Sequence, residues 1–206
     1  TVYVGGGTPT CLEPSLAERL LRGATALAAG GTGGPVLEVT VEANPGTVGL
    51  RYLRLLKAAG ATRLSLGAQS FDPSILKRLG RPHTPRDVAR AMAAAREAGF
   101  RSVSLDLIFG LPAQTPAGWE AELRAALSLG PDHVSVYPLK LEEGTQLAAA
   151  VARGQERLPG EDETAAMADL ADRLLASAGL ERYEVSSYAR RGHRCLHNLV
   201  YWLKGE

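Results

Sequence analysis

Apolar residues along this chain gather in short runs, separated by longer stretches where they recur every three or four positions. The short runs predict strands at Thr1–Val4, Val36–Glu42, Thr62–Leu66, Ser102–Ile108, His133–Tyr137 and Arg182–Tyr188. They are mostly apolar, which predicts a sheet covered on both faces. Between them, Leu16, Leu20, Leu21, Ala24 and Leu27 keep helical spacing, as do Val88, Ala91, Met92 and Ala95, and later Met167, Leu170, Leu174 and Leu175. Asp72-Pro73, Thr84-Pro85 and Thr115-Pro116 each offer a capping oxygen before a proline at the first helical position. Gly60, Gly99, Gly130 and Gly179 suit the residue just past a helix. The Gly-rich segment Gly30–Pro35 predicts a surface linker. Strand–helix units of about 30 residues imply parallel strands joined by right-handed crossovers, in a barrel-like or an open sheet.

The bulk numbers agree with one domain. The chain has 206 residues, 45% apolar and 22% charged, with a net charge of +1. Its Lys and Arg are scattered, so no nucleic-acid partner is expected, and peripheral membrane contact is not indicated. No apolar run reaches the roughly 20 residues of a membrane helix. Cys11 and Cys195 are the only cysteines, which excludes a disulfide framework and suggests a reducing, cytoplasmic setting. The chain opens inside a strand-like run and closes at Gly205-Glu206, just after Tyr201-Trp202, and both ends read as cuts in a longer protein. A sheet edge beside Thr1–Val4 would then be open, and poor solubility is expected.

In parallel α/β folds ligands sit beyond the C-terminal ends of the strands. Standing there are Gly5-Gly6-Gly7-Thr8-Pro9, then Glu42-Ala43-Asn44-Pro45, then Gly67-Ala68-Gln69-Ser70, and Asp106 shortly before Gly110-Leu111-Pro112. Glycines let backbone approach a ligand closely, and two acids with an amide suit hydroxyls or an ammonium group. No Gly-Lys-Ser/Thr follows the first glycines, so this is not a phosphate-binding Walker loop. An aspartate between Leu105 and Leu107 is costly to bury without partners, which favours a role for Asp106.

In order, Gly5–Pro9, Glu42–Pro45, Arg63–Phe71, Leu79-Gly80-Arg81-Pro82-His83, Asp106–Thr115 and Tyr183–Ala189 resemble motifs of the radical S-adenosylmethionine (SAM) proteins related to oxygen-independent coproporphyrinogen III oxidase. Glu42-Ala43-Asn44-Pro45 and His197-Asn198-Leu199-Val200-Tyr201-Trp202, an H-N-x-x-Y-W signature, are most similar to the heme chaperone branch. The resemblance implies an α/β fold, a partial (β/α)6 barrel of parallel strands that lacks its first strand. Residues 1–145 would form that core and 146–206 the start of a C-terminal α+β extension. It implies SAM across the strand ends, with Gly6, Gly7 and Thr8 at its methionine end. Glu42, Gln69 and Asp106 would bind its polar atoms, and Arg81 would pair with a carboxylate. His197 becomes a candidate heme ligand.

The family's 4Fe–4S cluster is held by a C-x3-C-x2-C motif, which would lie upstream of Thr1. Two solitary cysteines cannot replace it. The expected function is therefore a heme chaperone that passes heme to an acceptor protein, with SAM and cluster in the intact parent. The alternative is oxidative decarboxylation of coproporphyrinogen III, and a third reading is a domain for an unrelated nucleotide-like ligand.

Overall fold

The computed structural model describes residues 1–203, and within them one sheet organises the chain. Its parallel strands are β1 (Val2–Val4), β2 (Val39–Ala43), β3 (Arg63–Gln69), β4 (Ser102–Phe109) and β5 (His133–Pro138), side by side in sequence order. The connecting helices are α1 (Pro14–Thr32), α2 (Leu50–Ala58), α3 (Pro73–Arg78), α4 (Pro85–Glu97) and α5 (Pro116–Ser128). After β5 come α6 (Gln146–Ala152), α7 (Glu161–Ser177), the short strands β6 (Glu181–Arg182) and β7 (Ser187–Ala189), and α8 (Leu196–Trp202). The sheet is open and mostly parallel, as in a partial barrel.

Helix starts follow local chemistry. Asp72 accepts from the amides of Ser74 and Ile75, Thr115 accepts from Gly118, and Thr84 forms a reciprocal capping box with Asp87. The Gly30–Pro35 segment is different from its expectation. Helix α1 runs through Gly30 and Gly31 and ends only at Gly33, whose φ of 65° closes the last turn. Nineteen residues of packed helix carry three glycines, Gly23, Gly30 and Gly31, each a cost of only about 1 kcal/mol against Ala.

The sheet is covered by helices on one face, not two. Val39, Val41, Leu64, Leu66, Val103, Leu105, Leu107 and Val134 are buried there with Leu21, Leu53, Leu56, Val88, Met92, Trp119, Leu123 and Met167. Each wholly buried aliphatic side chain contributes about 1.5–3 kcal/mol of hydrophobic transfer. The alternate positions, Thr40 and Glu42, Arg63 and Ser65, Ser104 and Asp106, His133 and Ser135, are polar and line the other, concave face. A strand that looks apolar on average is thus strictly two-sided.

Arg182–Tyr188 is not a single strand. β6 and β7 form an antiparallel hairpin, and β7 pairs antiparallel with β5. Helix α7 packs against α5, with the indole N–H of Trp119 donating to the Met167 carbonyl at 2.9 Å. The segment from His193 onward returns to the concave face at the N-terminal ends of the strands. There Arg63 donates to the His193 carbonyl at 2.9 Å, and the Cys195 thiol contacts Glu38 at 3.3 Å. Of the expected extension 146–206, the last three positions lie outside the described residues.

Candidate functional site

The polar face opens into a cavity of about 520 Å3 at the C-terminal ends of the strands. Gly7, Thr8, Glu42, Gln69, Arg81 and Asp106 all line it. Gly6 stands at its rim and donates its backbone N–H to Glu42 Oε2 at 3.2 Å. The second Glu42 oxygen accepts from the Tyr3 hydroxyl at 2.9 Å. Gly6 and Gly7 have φ of 85° and 141°, where a side chain is strained. A Cβ on Gly5 would stand 2.6 Å from the Glu42 carboxyl carbon, so a larger residue there would displace this carboxylate.

Asp106 is half-buried in the cavity wall. Ser65 donates to it at 2.8 Å and Ser104 at 3.3 Å, yet burial outweighs these bonds and raises its pKa above the usual carboxylate value. Burial also raises the Tyr3 phenol and pushes Tyr137 up to about 12, with the charge of Asp106 adding to both. Deeper in, a chain of neutral groups leads away from Asp106. Ser104 contacts His133 Nδ1 at 2.8 Å, His133 Nε2 contacts the Tyr183 hydroxyl at 2.8 Å, and that oxygen accepts the Cys195 N–H at 3.1 Å. Burial, helped by the Arg63 charge, holds His133 well below the ordinary imidazole value. A neutral ring donating from Nδ1 to Ser104 and accepting at Nε2 from Tyr183 satisfies every link.

Tyr3, Thr40, Arg63, Ser65, His133, Ser135, Tyr137 and Asn198 also line the cavity, and sequence reasoning passed them over. The signal was present in the strict alternation of Arg63-Leu64-Ser65-Leu66 and of Ser104-Leu105-Asp106-Leu107. Arg81 reaches the cavity from the loop between α3 and α4, and makes no ion pair among the described residues.

His197 is not a cavity residue. Its neighbour Asn198 faces the cavity, while the His197 ring packs 5.2 Å from Tyr3, itself a lining residue, and 5.2 Å from Tyr201. Its Nδ1 lies 2.9 Å from Thr1 Oγ1, and Tyr201, Trp202 and Leu203 beyond it are exposed.

The residues present fit a sulfonium ligand with hydroxyls and a zwitterionic tail. Two carboxylates, an amide, a free guanidinium and bare glycine backbone converge on one open polar cavity. They do not fit an iron–sulfur cluster. No group of three or more His, Cys, Asp or Glu that could hold a metal exists among the described residues, and Cys11 is exposed while Cys195 is buried elsewhere.

The sequence profile of the Radical SAM superfamily matches residues 1–126. The chain belongs to the radical SAM superfamily. It is 43% identical over 212 aligned residues to heme chaperone HemW of Mycobacterium tuberculosis, covering 100% of this chain and 52% of that protein. With heme chaperone HemW of Escherichia coli it shares 40% over 209 residues, covering 100% and 53%. The structure of coproporphyrinogen III oxidase (HemN) from Escherichia coli, a radical SAM enzyme, matches with a TM-score of 0.77 and 27% identity over 93% of this chain and 43% of that one. This chain therefore spans about half the length of the curated relatives it matches. SAM and a 4Fe–4S cluster are the cofactors implied by membership of this superfamily. No helix among the described residues is long and apolar enough to cross a membrane.

Proposed function

We propose that this chain is the SAM-binding core of a heme chaperone, which binds heme beside His197 and hands it to an acceptor protein. One observation carries the reading: the two candidate sites are separate. The polar cavity suits SAM, and the H-N-x-x-Y-W helix beside it presents a half-buried imidazole, packed on Tyr3 outside the cavity lining, with Tyr201 and Trp202 exposed next to it. The 43% identity to a heme chaperone along the whole chain supports the same assignment.

In the cavity, Glu42 and Asp106 supply negative charge toward a sulfonium. Gly6, Gly7 and Thr8 offer backbone to the methionine end, Gln69 offers an amide, and Arg81 pairs with the carboxylate. SAM when bound supplies its own reactive sulfonium centre, and the protein's part is to bind and orient it. At the second site, partial burial keeps the His197 ring below its ordinary pKa and so neutral. With Nδ1–H donating to Thr1 Oγ1, the Nε2 lone pair of His197 would be left to hold a heme group. The exposed Tyr201 and Trp202 would offer a porphyrin apolar surface. Free thiols at Cys11 and Cys195 suit a reducing, cytoplasmic setting.

Heme titration followed by absorbance tests this. The intact parent protein is expected to give a saturable Soret band, and His197→Ala to weaken binding by about tenfold or more if His197 holds the heme. Absence of saturable binding would end the chaperone reading. Anaerobic conversion of coproporphyrinogen III by the intact parent protein, reconstituted with its cluster, would move the assignment to the decarboxylase.

A further inference from the structure

Among the described residues two non-glycine positions have left-handed backbone, Gln69 at φ 65° and Ala113 at φ 62°. Such a conformation costs roughly 1–2 kcal/mol in an L-residue and persists only where its surroundings impose it. Both positions directly precede a residue held by one buried carboxylate. Glu122, on α5 and 5% exposed, accepts from the Ser70 hydroxyl and from the Phe71 N–H at 2.7 Å through Oε2. Its Oε1 accepts from Gln114 Nε2 at 2.8 Å, and Gln114 Oε1 in turn accepts the Leu111 N–H at 3.2 Å. One side chain thereby fixes the loop after β3 and the loop after β4.

Gln69 is where this matters. Sheet register slips between Leu66 and Gln69, and the left-handed turn that follows puts the Gln69 side chain into the cavity, with its Nε2 2.8 Å from where a Cβ on Gly67 would stand. On the other side of that residue the Ala68 carbonyl accepts from Ser70 N at 2.8 Å and from His83 Nε2 at 3.0 Å. The turn is clamped before and after the strained residue.

We infer that Glu122 is a positioning residue for the cavity: it latches Gln69 in its strained conformation and so sets the amide that faces the ligand. Glu122 itself touches no ligand and lines no part of the cavity. The effect on SAM rests on the proposed function, whereas the latch on Gln69 does not.

The test is a cycle of Glu122→Gln, Gln69→Gly and the double variant, read by thermal unfolding without ligand and by calorimetric SAM titration. Glu122→Gln keeps one acceptor but faces the Gln114 amide with a second donor, so the fold survives with the latch weakened. Gln69→Gly removes the strain. The latch predicts that Glu122→Gln lowers the unfolding midpoint more in the Gln69→Gly background than in wild type, because only the wild-type turn regains its strain energy when the latch opens. It also predicts about tenfold weaker SAM binding for Glu122→Gln alone, the size of one lost hydrogen bond to a charged or oriented group. In the Gln69→Gly background the further loss should be under about twofold. Additive midpoints would overturn the latch whatever SAM does. Coupled midpoints with no SAM binding by wild type would keep the latch and remove the SAM assignment. Unchanged SAM affinity in Glu122→Gln beside a binding wild type would overturn the positioning role.

Discussion

Asp106 shows how a single residue can carry both a cost and a use. It is half-buried in the wall of the cavity that Glu42 also lines, and is held above its ordinary pKa mainly by burial. In the absence of a cation the neutral acid is therefore favoured more than in water. A sulfonium beside it favours the carboxylate, so binding below the raised pKa must release a proton. SAM affinity is then expected to increase as pH rises through that pKa and to level off above it. Asp106→Asn should bind more weakly, by about tenfold, and lose the pH slope. Calorimetric titrations at a series of pH values below about 7, clear of the ligand's amine, check both parts, and a wild-type affinity flat across the series would refute the role. Asp106 was legible in the sequence because an acid inside an apolar run needs a reason. Glu42 and Gln69 were legible as polar ends of such runs. Arg63 was not, although it lies on the same face, because it opens its strand and reads as a flank.

At the scale of elements, caps and glycine stops were read from local chemistry and stand where expected, because each depends on residues within one turn. The errors arose where neighbours in space decide. Arg182–Tyr188 has a strand's composition, but pairing of Ser187–Ala189 to β5 turns the chain back before it, giving a hairpin. Helix α8 could not be inferred from its own residues. Seven residues are far short of the length at which a helix stands alone, and Cys195 offers its first turn no side-chain cap. The cap comes from another element, since Glu38, just before β2, accepts the His197 N–H at 3.2 Å and the Cys195 thiol at 3.3 Å. Glu38→Ala is expected to cost about 1 kcal/mol, as lost caps do, and to concentrate its effect in α8. Hydrogen exchange should accelerate over residues 196–202 and stay unchanged in β3 and β4. Uniform acceleration over the sheet would mean that Glu38 supports the core instead. Where heme binds beside His197, the same variant should also weaken the Soret titration.

For the molecule as a whole, the parallel α/β architecture was legible from alternating periodicities, while the one-sided covering of the sheet was not. Mean apolarity of a strand suggested helices on both faces; only the alternation separates the apolar face from the polar one. What closes the far end of that polar face comes from residues 130 and 157 positions apart, Arg63 with His193 and Glu38 with Cys195. No local pattern announces such contacts. They leave His133 buried and uncharged between Ser104 and Tyr183, with the Arg63 guanidinium opposing its protonation. The consequence falls on global stability. His133 has a folded pKa well below the ordinary imidazole value of about 6.5 that applies to the unfolded chain. Between those two values the unfolded chain binds more protons than the folded one, so stability rises with pH there and is lost as pH falls below about 6.5. Asp106 has the opposite sign, because its raised folded pKa makes the folded chain the better proton acceptor as pH falls toward the carboxylate range. The two are separable. In denaturant melts between about pH 5 and 7, His133→Gln should flatten the acid-side loss, and Asp106→Asn should leave that loss in place or steepen it. A wild-type slope that survives His133→Gln unchanged would assign the acid sensitivity to another group and detach His133 from the closure of the polar face.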